Sequence, residues 1–193
     1  MLDAAHDYAS ATRHLQNTYP AYVAYVQRVH AKVGPIVKND ETTVVVRTSD
    51  GSIVKGKPAS IQVNVGKTYH GDVVTHPPFD PACYTPLSAA RTTYDGVAAE
   101  AIALKATCHS KRSDDEDFST LYVDPDSHQP LGVTGASIEE NVAVHIEEGF
   151  GLVDGYTVPT VLAVSVKGKG WMGWLDVAAR VSFSHYQFLT TEP

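Results

Sequence analysis

The sequence predicts a mainly β protein with one N-terminal helix: a single domain, residues 1–193, built on an antiparallel sheet that either packs as a sandwich or curls. Three observations predict it. Residues 2–17 repeat apolar positions at three- and four-residue steps, which is one face of a helix. From Ala21 onward the period changes to two, in run after run separated by turn residues. The second half reads as a meander joined by short turns, with no linker to divide it.

The helix is expected over residues 1–18, with Leu2, Ala5, Tyr8, Ala9, Thr12 and Leu15 on its buried face and Pro20 just past its end. Val23, Tyr25, Val29, Ala31 and Val33 then share one face of a strand, while Arg28, His30 and Lys32 share the other. Gly34-Pro35 breaks that strand, "TTVVVRT" at 42–48 forms the next, and Asp50-Gly51 in "SDGS" turns the chain again. Residues 66–96 carry Pro77, Pro78, Pro81 and Pro86 with little periodicity, so they are expected as a long surface loop insertion holding one short helix near "PLSAARTTY". Strands resume at 97–107. "LYVDPDSHQPLGVTG" at 121–135 is a hairpin whose centre is dense in turn formers and carries no evident chemistry. Further strands follow at 141–148 and 158–166, with "LVDGYT" turning between them. In the last run Leu175, Val177, Ala179, Val181 and Phe183 alternate cleanly, but Tyr186 and Phe188 fall on the opposite face. A bulge near His185 is therefore expected.

Composition narrows the function classes. A chain of 193 residues buries about 70% of the surface that its unfolded form exposes, enough for a sizeable core. Net charge is −7, and the basic "HSKR" at 109–112 is followed at once by "DDED", which argues against a nucleic-acid partner. No apolar run approaches the ~20 residues of a membrane-spanning helix. "MLDAAHDYAS" lacks the basic start and apolar core of a signal peptide, leaving a cytosolic protein or a mature exported form. Cys83 and Cys108 are the two cysteines, read either as a disulfide or as two separate buried thiols.

Catalytic signatures are thin, and no enzyme is expected. The glycines of "VKGKGWMGW" follow a strand without opening a helix, so they do not cradle a phosphate. Nine histidines are scattered without a paired ligand spacing. His70, His76 and Asp80 would meet only if their loop folded back, and solvated loop groups are the plainer reading. Ser119, Asp124 and His128 read as a chance grouping within one hairpin. No metal and no cofactor are expected.

The residues that stand out are apolar. Trp171, Met172 and Trp174 sit in a Gly-rich turn between two strands, where they would line the mouth of a cavity, cap the core or lie exposed at a loop tip. Tyr22, Tyr25, Phe150 and Tyr156 are candidate cavity lining by the same argument.

Three stretches, "FSTLYVDPDSHQPLGVTG", "VHIEEGFGLVDGYTVPTVLAVSV" and "WLDVAARVSFSHYQF", carry a pattern that resembles the periplasmic lipoprotein-carrier (LolA/LolB-like) superfamily and its bacterial relatives. The matching positions are Tyr122-Val123-Asp124, then Gly155-Tyr156 with Pro159, then Tyr186 with Phe188; "YVAYVQRVHAKV" after the helix fits as well. The resemblance covers about two thirds of the chain and excludes 66–96. It implies an incomplete antiparallel β-barrel with helices plugging its open side around an apolar cavity for acyl chains; here the N-terminal helix and the long loop, which departs from the family pattern, are expected to cover it. It also implies a lid-holding arginine, for which Arg28 and Arg47 are the candidates. The expectation is then a non-enzymatic protein of the periplasm or cell envelope that binds an apolar small molecule, a lipid or an acylated protein. The alternative is an interaction domain whose barrel is filled by its own side chains and whose binding surface is the 66–96 segment.

Overall fold

The computed structural model describes residues 3–58, 60–63, 67–70, 74, 77–108, 118–139, 141–170 and 173–193. Helix α1 (Ala4–Leu15) begins where Asp3 caps it. Asp3 Oδ1 accepts from the backbone N–H groups of Ala5 and His6, both at 3.2 Å, which satisfies donors that a helix start leaves unpaired. The helix buries Asp7, Tyr8, Ser10 and Ala11 and leaves Ala5 and Ala9 exposed. Its inward face is therefore rotated from the expected one. Hydropathy places an aspartate outside, whereas here Asp7 goes in to meet polar partners.

The strands follow as β1 (Tyr22–Val33), β2 (Ile36–Arg47), β3 (Ile53–Lys55), β4 (Ser60–Val63) and β5 (Lys67–His70). After a 3-10 turn at Pro81–Cys83 come β6 (Tyr84–Tyr94), β7 (Val97–Ala106), β8 (Phe118–Val123) and β9 (Pro130–Glu139). The last three are β10 (Val142–Val153), β11 (Tyr156–Gly170) and β12 (Gly173–Leu189). Among the described residues β4 and β5 pair apart, and the rest form one ten-stranded antiparallel sheet in the order β3-β2-β1-β12-β11-β10-β9-β8-β7-β6. The meander from β6 to β12 is thus continued by β1, so the first long strand lies beside the last. The sheet does not close, and β3 and β6 are its free edges.

The segment 66–96 is not one long loop. Residues 84–94 are strand β6, and the expected helix near "PLSAARTTY" is part of it. Pro86 is tolerated there because the strand lies at a sheet edge and the register shifts between Pro86 and Ser88. Asp95 and Gly96, with φ of 48° and 80°, close the β6–β7 hairpin, as Asp154 and Gly155, with φ of 50° and 85°, close β10–β11. Two successive left-handed residues match the twist of the strands they join.

Curvature comes from bulges. The β1–β12 register slips between Ala24 and Val26, opposite His185 at φ 54°, which is the irregularity the alternation predicts. A second shift falls at Gly149/Phe150, facing Pro159 on β11. Helix α1 packs against β6, β9 and β11. One short helix reaches such widely separated strands only by lying inside the curl, so the architecture is an incomplete barrel covered by its N-terminal helix. Tyr25, Ile102, Leu121, Ile146 and Leu162 fill its interior and are almost wholly inaccessible. Each comes from a different strand, at the inward position of its alternation.

A candidate ligand cleft beneath the helix

One end of the curl is less filled. A cleft of about 480 Å³ opens between the residues that leave α1, the segment 77–81 and the bulged part of β10 and β11. The first wall is Leu15, Asn17, Thr18 and Tyr19. It is fixed to the sheet at Thr157. Asn17 Nδ2 donates to the Thr157 carbonyl at 2.6 Å, the Thr157 N–H donates to Asn17 Oδ1 at 3.3 Å, and the Tyr19 hydroxyl donates to the same carbonyl at 3.1 Å. An asparagine side chain thereby stands in for the missing strand partner. Tyr19 stacks on Phe188 at 6.0 Å, and Phe188 meets Tyr156 at 4.4 Å.

The second wall is Val74, Pro77, Phe79 and Pro81. Phe79 is buried against Tyr84 (5.1 Å) and Phe118 (5.6 Å), and the Tyr8 hydroxyl of α1 donates to the Pro81 carbonyl at 2.7 Å. Beyond it Cys83 and Cys108 are disulfide-bonded, joining the start of β6 to the chain just past β7. The third wall is Phe150 and Pro159, with Thr48 across from them. Prolines suit such a wall because they leave no backbone donor to be satisfied.

Behind Phe79 lies Glu148, on the same inward face of β10 as Phe150 and fully buried. Its Oε2 accepts from the Phe79 N–H at 3.1 Å, while Oε1 has no partner among the described residues. Burial without water pushes this carboxyl up to about 8, and the Phe79 N–H offsets only part of that. Burial thus favours its neutral form, one layer behind the Phe79 wall of the cleft. The Tyr186 hydroxyl nearby donates to the Pro159 carbonyl at 2.6 Å.

The structure distributes the sequence-derived lining residues unevenly. Phe150 lines the cleft. Tyr156 stands one layer back, in the aromatic stack with Tyr19 and Phe188. Tyr25 is sealed in the core against Phe183 (5.8 Å) and Tyr186 (5.6 Å) and touches no open space. Tyr22 lies under the Arg47 guanidinium at 5.8 Å, with its hydroxyl donating to Glu192 at 3.3 Å. Trp174 is 84% exposed, which is one of the three placements that the sequence left open. Trp171 and Met172 lie outside the described residues. Arg28 pairs with Glu41 on the outer surface and Arg47 pairs with Asp50 and Glu192, so neither reaches the cleft. Of the expected metal ligands, Asp80 is used as the cap of the 3-10 turn, accepting from Ala82 N–H at 3.0 Å. His76 and the side chain of His70 lie outside the described residues. Sequence reasoning missed Asn17, Tyr19 and Phe79. Their signal, an aromatic beside a proline in "NTYP" and "HPPFDP", carries no period.

No protein-family model matches the chain. No curated protein matches it in sequence. Among solved structures it superposes on a DUF1329 family protein from Desulfovibrio piger at TM-score 0.53 and 10% identity, covering 97% of this chain and 94% of that one. The two share their fold. A LolA superfamily protein from Nitrosomonas europaea superposes at 0.46 with 12% identity, covering 100% and 96% of the two chains. A domain from Vibrio parahaemolyticus assigned to outer membrane lipoprotein sorting does so at 0.48 with 8% identity, covering 99% and 95%.

Proposed function

We propose that this protein holds an apolar ligand, a lipid or the acyl chain of a lipoprotein, in the cleft beneath α1, and that it does so in the cell envelope without catalysing a reaction. The observation that carries the reading is the cleft itself. At about 480 Å³ it falls in the usual range for small-molecule sites. Two of its walls are segments outside the sheet, the end of α1 and residues 77–81, which can part without breaking a strand ladder. Leu15, Phe79 and Phe150 offer apolar contact, and Thr18 and Asn17 add polar groups to the lining. The disulfide supports an oxidising compartment, and no helix among the described residues is long and apolar enough to cross a membrane.

Native mass spectrometry with organic extraction of the same sample tests the reading. A one-to-one adduct of lipid mass, lost on delipidation and regained with added fatty acid or phospholipid, is the expected result. Phe150→Glu, which places a charge in the wall, should weaken rebinding at least about tenfold. If delipidated protein takes up neither lipid class, the interaction-domain reading takes its place. The solid packing of Tyr25, Ile102, Leu121, Ile146 and Leu162 through the rest of the interior favours that second reading.

A further inference from the structure

The β8–β9 hairpin leans on the first turn of α1 and sets three potential ligand side chains against one another. The hairpin is tightly held: Asp124 Oδ1 accepts from the Asp126 and Ser127 N–H groups at 3.1 and 2.8 Å and from the Ser127 hydroxyl at 2.8 Å. The His128 N–H closes the turn on the Asp124 carbonyl at 2.9 Å, with His128 itself in the left-handed region at φ 55°. Its Nδ1 is buried and has no hydrogen-bond partner among the described residues; Asp7 Oδ1 stands 3.7 Å away. His6 Nδ1 is 3.2 Å from the same oxygen, and the two imidazole rings meet edge-on at 5.7 Å. One donor atom from each of His6, Asp7 and His128 lies within 4.8 Å of the others.

A second observation stands behind this cluster. Glu100, on β7, is only 3% exposed, and its carboxyl is hydrogen-bonded to that of Asp7. Its Oε1 has no partner among the described residues. Burial, the bond to Asp7 and the Asp7 charge raise the Glu100 carboxyl above its ordinary value. For Asp7 the penalty of burial is outweighed by bonds from His6 and Glu100, which lower its carboxyl. Three elements thus converge on two imidazoles, one aspartate side chain and two buried polar atoms that lack partners among the described residues.

We infer that His6, Asp7 and His128 form a binding site for a divalent transition-metal ion of the zinc class. Two imidazoles with one carboxylate suit zinc and its neighbours rather than calcium or magnesium, which take oxygen ligands. Bonds of about 2.0–2.1 Å in a tetrahedron put ligand atoms about 3.3 Å apart. Asp7 Oδ1 already lies 3.2 and 3.7 Å from the two nitrogens. The remaining closure is between the imidazoles, and the His6 side chain, 65% exposed, is free to swing inward. Three protein ligands leave a fourth position to water, the donor that Glu100 Oε1 lacks. The ion would staple the start of α1, which covers the sheet, to the β8–β9 hairpin.

The test is calorimetric titration of zinc into the full, untagged chain after stripping with chelator, repeated with cobalt(II) by absorption. One equivalent of zinc per chain and the d–d bands of a tetrahedral cobalt centre are expected. His6→Ala, a surface change that leaves the fold intact by circular dichroism, should lower zinc affinity at least about tenfold. His145→Ala, an exposed histidine on β10, should leave it unchanged. Absence of stoichiometric zinc binding to the unsubstituted chain overturns the inference. So does equal binding by His6→Ala, which would place the ion elsewhere.

Discussion

Glu148→Gln should abolish a pH-dependent loss of stability that the wild-type protein carries. An unfolded chain ionises this carboxyl near its ordinary value of 4.5, whereas burial in the folded protein raises it to about 8. Below pH 4.5 both states hold the proton and the group is neutral in its effect. As pH rises further, the unfolded chain releases its proton while the folded one keeps it, so stability falls by about 1.4 kcal/mol per pH unit. The fall ends near pH 8, where the folded state ionises as well, and by then the total is about 5 kcal/mol. At pH 7 about 3 kcal/mol has been lost. Glutamine keeps an oxygen for the Phe79 N–H and cannot ionise. The variant should therefore match wild type within about 1 kcal/mol at pH 5 and exceed it by about 3–5 kcal/mol at pH 8. Glu100 is also raised and acts in the same direction, but it is present in both proteins and cancels in the difference. Urea unfolding at pH 5, 6, 7 and 8 reads the effect. With a slope of about 2 kcal/mol per molar urea, the midpoints should diverge by about 2 M at the alkaline end. Parallel pH profiles would refute the reasoning, because they would mean that Glu148 ionises in the folded state as readily as in the unfolded one.

Two further outcomes follow from the geometry. Replacing Cys83 and Cys108 together by serine opens a 25-residue span and should cost about 3.5 kcal/mol; reducing agent should destabilise wild type similarly and leave the double variant unaffected. Gly132→Ala puts a Cβ 2.3 Å from the Tyr94 hydroxyl, which is held by Glu147 at 2.7 Å and by stacking on Tyr122 at 4.8 Å. A loss of about 1–3 kcal/mol is expected, and most of it should vanish when Tyr94→Ala is combined with it in a double-mutant cycle.

The strands that were legible in the sequence are those with one buried and one open face, where alternation and turn chemistry agree. The bulge near His185 was legible for the same reason, since a change of parity within one strand has few other causes. Strand β6 was not, because it lies at an edge with most side chains exposed, and Pro86 argues against a strand unless its edge position is known. The Asp95-Gly96 turn carried the same signal as Asp154-Gly155 but stood inside a stretch already marked by prolines. The cleft was legible only at Phe150. Its other walls come from aperiodic segments whose meeting depends on the whole curl. Trp174 was open to three placements in the sequence, because a Gly-rich stretch has no period to choose among them, and it is exposed. The 121–135 hairpin looks inert from sequence because the side chains near His128 are His6 and Asp7, distant in the chain and on a helix face that hydropathy assigns to solvent.

The cleft as the seat of an apolar ligand is tested most directly by placing a fluorophore in its wall. In a chain with Trp171→Phe and Trp174→Phe, Phe150→Trp becomes the single tryptophan. Titration with a dibrominated fatty acid should quench its emission at one-to-one stoichiometry, and unbrominated fatty acid should reverse the quenching by competition. Emission that stays unchanged while the same acid quenches the tryptophans of the wild-type protein would contradict the account and move the ligand away from the cleft.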